Sequence, residues 1–137
     1  MRKITQIILH CSATPEGKDF TVQQIDAWHR QRGFKSIGYH FVIYRDGSIH
    51  NGRPITEIGA HCKGHNANSI GICYICGVAK DGKTPKDTRT EAQKKSLISL
   101  VSSLRSRFPE ATVLGHCEFA AKACPSFDVK TSGLCDL

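Results

Sequence analysis

The ten residues from Ser69 to Val78, SIGICYICGV, are apolar or small almost throughout. A strand of that composition is covered on both faces, which puts it in the middle of a sheet with other elements packed against it. The neighbouring segments fit that demand. Ile4 to His10 reads as a second buried strand, and Ala111 to Leu114 as a last short one. Thr21-Val22-Gln23-Gln24 is a capping box opening a helix that carries Val22, Ile25 and Trp28 on one face and stops at Gly33. Thr90-Glu91-Ala92-Gln93 opens another, with Leu97, Leu100, Val101, Leu104 and Phe108 at helical spacing until Pro109. Tyr39 to Arg45 and Ser48 to Asn51 flank Asp46-Gly47, a dipeptide suited to the tight turn of a hairpin. Between these elements, Ala79 to Arg89 is rich in Gly, Lys, Asp and Pro and reads as a mobile surface loop. The expected fold is α/β, a mixed central β-sheet flanked by helices. A chain of 137 residues is one domain that buries about two thirds of its unfolded surface.

Chemistry concentrates near the end of the chain. Gly115 to Asp128, GHCEFAAKACPSFD, brings His116, Lys122 and Cys124 into one short segment closed by Pro125. Imidazole and thiolate are ligands preferred by a borderline-soft ion such as zinc, and a catalytic zinc takes three protein ligands and keeps one position open. His10 is the choice for the third, because it ends a buried strand that runs into a polar turn, where sites tend to be built. These residues lie far apart in the chain, so such a site exists only in the folded protein.

With these motifs in view, the chain resembles the zinc-dependent N-acetylmuramoyl-L-alanine amidases, most closely the short lysozyme-type enzymes of phages. The resemblance covers nearly the whole chain. It rests on His10-Cys11-Ser12-Ala13-Thr14, on Gly38-Tyr39-His40-Phe41 with Arg45-Asp46-Gly47, on Gly59-Ala60-His61 with Asn68-Ser69-Ile70-Gly71, and on Gly115-His116 with Lys122 to Asp128. It implies zinc ligands at His10, His116 and Cys124 and catalytic helpers at Tyr39 and Lys122. It also implies a peptidoglycan hydrolase, acting bacteriolytically as an endolysin of phage or prophage, with residues 1–137 as its amidase catalytic domain.

Amide hydrolysis makes matching demands. Zinc lowers the pKa of its water from about 15.7 to about 7 and polarises the carbonyl. The tetrahedral oxyanion needs a preorganised donor and the leaving amine needs a proton. Lys122 is assigned to the oxyanion, and Tyr39 to orienting water or substrate and shuttling the proton. His61, in the glycine-bearing stretch Gly59-Ala60-His61-Cys62-Lys63-Gly64, is expected to line the substrate cleft. His29, His40 and His50 are left without a role. Cys73 and Cys76 form a C-x-x-C spacing, but on a strand they face opposite sides and cannot share a metal, so they read as core. Glu118 reads as a solvated acid or a partner to a ligand.

The net charge of +7 favours polyanions, among them acidic wall polymers, nucleic acid and anionic membrane faces. The basic residues are scattered, with no arginine-rich run, so no stable nucleic-acid complex is expected. A monomer without membrane insertion is expected. The apolar stretch after Met1-Arg2-Lys3 is broken by Thr5 and Gln6, too short for a signal peptide, and no transmembrane segment is present. The expected localisation is therefore cytoplasmic as synthesised, with seven reduced cysteines, and on the cell wall after release. Two rival classes stand beside the amidase. One is a non-catalytic peptidoglycan-recognition module; the other is a regulatory protein that binds nucleic acid or another protein through its basic surface.

Overall fold

The computed structural model describes residues 1–137. Its strands and helices are β1 (Gln6–Cys11), β2 (Thr14–Pro15), α1 (Val22–Gln31), β3 (Phe41–Ile43), β4 (Ile49–Asn51), β5 (Ser69–Tyr74), β6 (Gly77–Val78), α2 (Glu91–Arg107) and β7 (Thr112–Gly115). Five strands form a mixed sheet in the order β4-β3-β5-β1-β7, with only the β3–β4 hairpin antiparallel. β5 and β1 occupy its centre, and every residue of β5 is buried, as its apolar composition requires.

The two faces carry different chemistry because side chains alternate along a strand. On one face, Ile7, Leu9, Ile70, Ile72 and Tyr74 pack with Leu97, Val101 and Leu104 of α2 in the larger core. On the other, Ile25 of α1 packs with Val42, Ile37 and Ile75. His10 and Cys73 are register partners in β1 and β5 and share this second face. The α2 stripe is the predicted one, with Gln93 added. Fully buried, Gln93 donates from Nε2 to the carbonyls of Ile43 and Ile75 at 3.3 and 3.2 Å, holding the ends of β3 and β5 together.

Both capping boxes form. Thr21 Oγ1 accepts from the Gln24 amide while Gln24 Oε1 accepts from the Thr21 amide, and Thr90 and Gln93 repeat the arrangement. The α1 face differs from the one expected. Trp28 is 37 % exposed, and His29 is buried in its place. His29 lies one turn on from Ile25, and that turn faces the sheet.

The expected strand Ser69 to Val78 is two strands. Cys76 and Gly77 have φ of +97° and +103°, which ends β5 at Tyr74 and turns the chain so that β6 pairs with β2. A side chain at Gly77 would run into the Cys11 Sγ. Cys76 is therefore in the core but not on a strand. In the 79–89 loop, Asp81 Oδ1 accepts from the amides of Lys83 and Thr84, folding an exposed turn. No helix is long and apolar enough to cross a membrane.

Candidate metal centre and active-site cleft

β1 ends in a polar turn at the sheet's carboxyl edge, and its His10 side chain is buried there. β7, parallel to β1, delivers His116 to a short helical turn at the same edge. Glu118 fixes that turn by accepting from the Gly115 amide through Oε2 at 2.7 Å, and Lys130 reaches its Oε1 at 3.4 Å. This is a structural use of an acid for which the sequence offered two other readings. The segment carrying Cys124 folds back onto the turn. The Cys117 amide donates to the Cys124 carbonyl at 2.8 Å, and the buried Tyr74 hydroxyl donates to the Pro125 carbonyl at 2.6 Å.

These constraints bring three donors together. Ligand atoms of His10, His116 and Cys124 lie within 4.8 Å of one another. The His10 Nδ1 to Cys124 Sγ separation is 3.8 Å, close to the ~3.5 Å that tetrahedral zinc sets between an imidazole nitrogen and a thiolate sulfur. Two imidazoles and a thiol on one side of an open cleft fit a borderline-soft divalent ion, with a coordination position left for water. The other His10 nitrogen, Nε2, lies 2.8 Å from His61 Nδ1, and His61 Nε2 lies 3.1 Å from Ser69 Oγ.

Burial lowers the His10 pKa well below its usual value and that of His61 to about 3, with neighbouring cationic groups acting in the same direction. His116 is lowered by burial and by the nearby Lys122. All three imidazoles are therefore neutral near pH 7, the form that offers a lone pair to a metal. The Cys11 and Cys124 thiols are hydrogen-bonded, which eases loss of the first proton from the pair and, with burial, opposes loss of the second. The Cys11 amide also donates to Cys124 Sγ at 3.2 Å, which offsets part of the upward push that the Cys11 thiol and burial give this thiol.

The surrounding cleft has a volume of about 660 Å³. All six residues singled out in the sequence line it: His10, Tyr39, His61, His116, Lys122 and Cys124. The Tyr39 ring centroid lies 5.1 Å from that of His10 and 5.3 Å from that of His29. Burial, with the thiols of Cys73, Cys124 and Cys11 nearby, raises the Tyr39 pKa well above its usual value, so its hydroxyl stays protonated as a donor. His29, which the sequence left without a role, lines this wall and accepts from the Gly38 amide through Nδ1 at 2.9 Å. Arg32, Lys63 and Lys122 also line the cleft, and no carboxylate does. His40 lies elsewhere. Its Nδ1 accepts from the Gly71 amide and its Nε2 meets the Glu57 carbonyl and Arg2, a structural arrangement.

A family model described as N-acetylmuramoyl-L-alanine amidase matches residues 1–127. The chain belongs to the N-acetylmuramoyl-L-alanine amidase family. Among its relatives is the endolysin of Escherichia phage T7, 44% identical over 124 residues that cover 90% of this chain and 82% of that one. The endolysin of Klebsiella phage KP32 is 40% identical over 129 residues, 94% of this chain and 85% of its own length. The solved N-acetylmuramoyl-L-alanine amidase LysC from Clostridium intestinale superposes with a TM-score of 0.83 at 30% identity, covering 96% of this chain and 84% of LysC. The chain is thus a peptidoglycan amidase of endolysin type.

Proposed function

We propose that this amidase is zinc-dependent and cleaves the bond between the lactyl group of N-acetylmuramic acid and the L-alanine of the stem peptide. The observation that carries the reading is the convergence of two imidazoles and a thiol at one point of an open cleft. His10, His116 and Cys124 would hold the ion. When bound, zinc supplies a Lewis acid and a water activated for attack.

The chain's own groups supply the rest. The Lys122 ammonium lies on the rim, free to stabilise negative charge growing on the scissile carbonyl oxygen. The Tyr39 hydroxyl, protonated and deep in the cleft, orients the attacking water and relays a proton, handing its own to the leaving amine nitrogen of alanine and recovering one from that water as the water oxygen joins the lactyl carbon. As the carbon–nitrogen bond breaks, that nitrogen leaves as a free amine and the lactyl carbon as a carboxylate. Arg32, Lys63 and Lys122 make the cleft cationic, which suits an anionic peptide partner. Action as a monomer on peptidoglycan, without a stable nucleic-acid complex, belongs to the same reading. Synthesis in the cytoplasm and action on the wall after release complete the reading, and residues 1–137 are its catalytic domain.

The test is release of new amino termini from purified peptidoglycan by the protein as isolated, after chelation, and after zinc is restored. Release that stops with chelator and returns with zinc is expected. Undiminished release from protein shown to be metal-free would overturn zinc dependence. No release at all, with the protein still sedimenting with peptidoglycan, would indicate a recognition module instead.

A further inference from the structure

His61 lines the cleft, and both of its ring nitrogens are engaged within the protein. Nδ1 lies 2.8 Å from His10 Nε2, and Nε2 lies 3.1 Å from Ser69 Oγ. The residue is only 9 % exposed. Its backbone is fixed as well, because the amides of His61 and Cys62 both donate to Asn66 Oδ1 at 2.9 Å. The ring rests against two glycines. A Cβ on Gly71 would come within 2.6 Å of its Cγ, and one on Gly59 within 2.8 Å of its Cδ2. Space for this ring is made by leaving side chains out of β5 and the 59–61 segment.

We propose that His61 is a positioning residue that fixes the tautomer and ring angle of His10, so that His10 Nδ1 presents its lone pair to the metal. The inference rests on His10 being a ligand. The hydrogen-bond chain then has one direction. His10 Nδ1 faces Cys124 Sγ at 3.8 Å, so in a neutral ring the proton sits on Nε2 and is donated to His61 Nδ1. His61 in turn carries its proton on Nε2 and donates it to Ser69 Oγ. An acceptor behind a ligating histidine holds the ring in place and raises its basicity. Carboxylates and carbonyls commonly fill that place; here a second neutral imidazole fills it, anchored by a serine of the central strand.

The test measures zinc binding without substrate, by stripping the full chain and titrating zinc against a chromophoric chelator. His61→Leu fills the space and removes the acceptor; His61→Gln keeps an acceptor; Ser69→Ala removes the anchor. His61→Leu is expected to lower zinc affinity about 10- to 100-fold, Ser69→Ala to lower it less, and His61→Gln to recover most of it. The cobalt-loaded protein should show altered visible absorption in His61→Leu and a near-native spectrum in His61→Gln. A folded His61→Leu with wild-type zinc affinity would overturn the proposal, since a residue that only lines the cleft changes KM and leaves the metal alone. Should His61→Leu fail to fold, unchanged affinity in Ser69→Ala would overturn it equally. Wild-type protein that binds no zinc would remove the ligand assignment itself, an outcome distinct from either.

Discussion

The buried Tyr74 hydroxyl donates to the Pro125 carbonyl at 2.6 Å, tying the last residue of the central strand to the segment that carries Cys124. Tyr74 faces the larger core, with its ring centroid 6.0 Å from that of Phe127. The hydrophobic interior and the candidate metal centre therefore share one anchor. Tyr74→Phe keeps the packing and leaves the carbonyl unmatched, so it is expected to cost about 1–3 kcal/mol of stability and to loosen metal retention. Urea unfolding and metal content after dialysis check both; unchanged values in each would show that the bond anchors nothing.

Substitutions at four cleft residues should separate into two groups. His116→Ala and Cys124→Ala are expected to lose metal and activity together. Lys122→Ala should keep its metal and lose about 10²- to 10³-fold in kcat, and Tyr39→Phe about 10²- to 10⁴-fold. Metal analysis beside amino-terminus release distinguishes the groups, and equal metal retention in all four would break the assignment of ligands.

The metal-free protein should lose stability as pH falls below about 6.5. His61 has its folded pKa lowered to about 3, and His10 is also strongly lowered. Below the unfolded value, near 6.5, the unfolded chain takes up protons that the folded chain refuses. Each such histidine therefore contributes stability that is present above pH 6.5 and lost at about 1.4 kcal/mol per pH unit below it. Urea midpoints of chelated protein between pH 7 and pH 5 should fall, and His61→Gln should fall less steeply. Parallel slopes would contradict the burial of a neutral His61.

Gly71→Ala tests the space beneath the same ring by another route. Its added Cβ would sit 2.6 to 2.8 Å from three atoms of the His61 imidazole, so the ring must shift and its alignment with His10 is disturbed. Zinc affinity is expected to drop although no hydrogen-bonding group is altered. An unaltered affinity in a folded variant would show that His61 tolerates displacement.

A control completes the set. Thr90→Ala removes the cap of α2, far from the cleft, and should cost about 1 kcal/mol with zinc affinity unchanged. Calorimetry and the same zinc titration read the two effects separately.

Local signals in the sequence determined a good part of this protein. The capping boxes at Thr21 and Thr90, the α2 stripe from Leu97 to Leu104 and the turn at Asp46-Gly47 depend on residues within a few positions of one another, where composition and spacing decide geometry. The motifs around His10, Tyr39, His116 and Lys122 to Cys124 named the cleft for a related reason, since each carries its own chemistry within a short run. Tertiary structure decided what those groups touch. Trp28 and His29 are adjacent in sequence, and only the position of the sheet selects which is buried. The break after Tyr74 follows from the approach of Gly77 to Cys11, a contact between separate strands. His61 owes its partners to His10 on β1 and Ser69 on β5, and Cys124 owes its place to Tyr74. Hydrogen bonds between residues fifty positions apart leave no periodicity in a sequence; they arise when parallel strands bring those positions to one edge of the sheet.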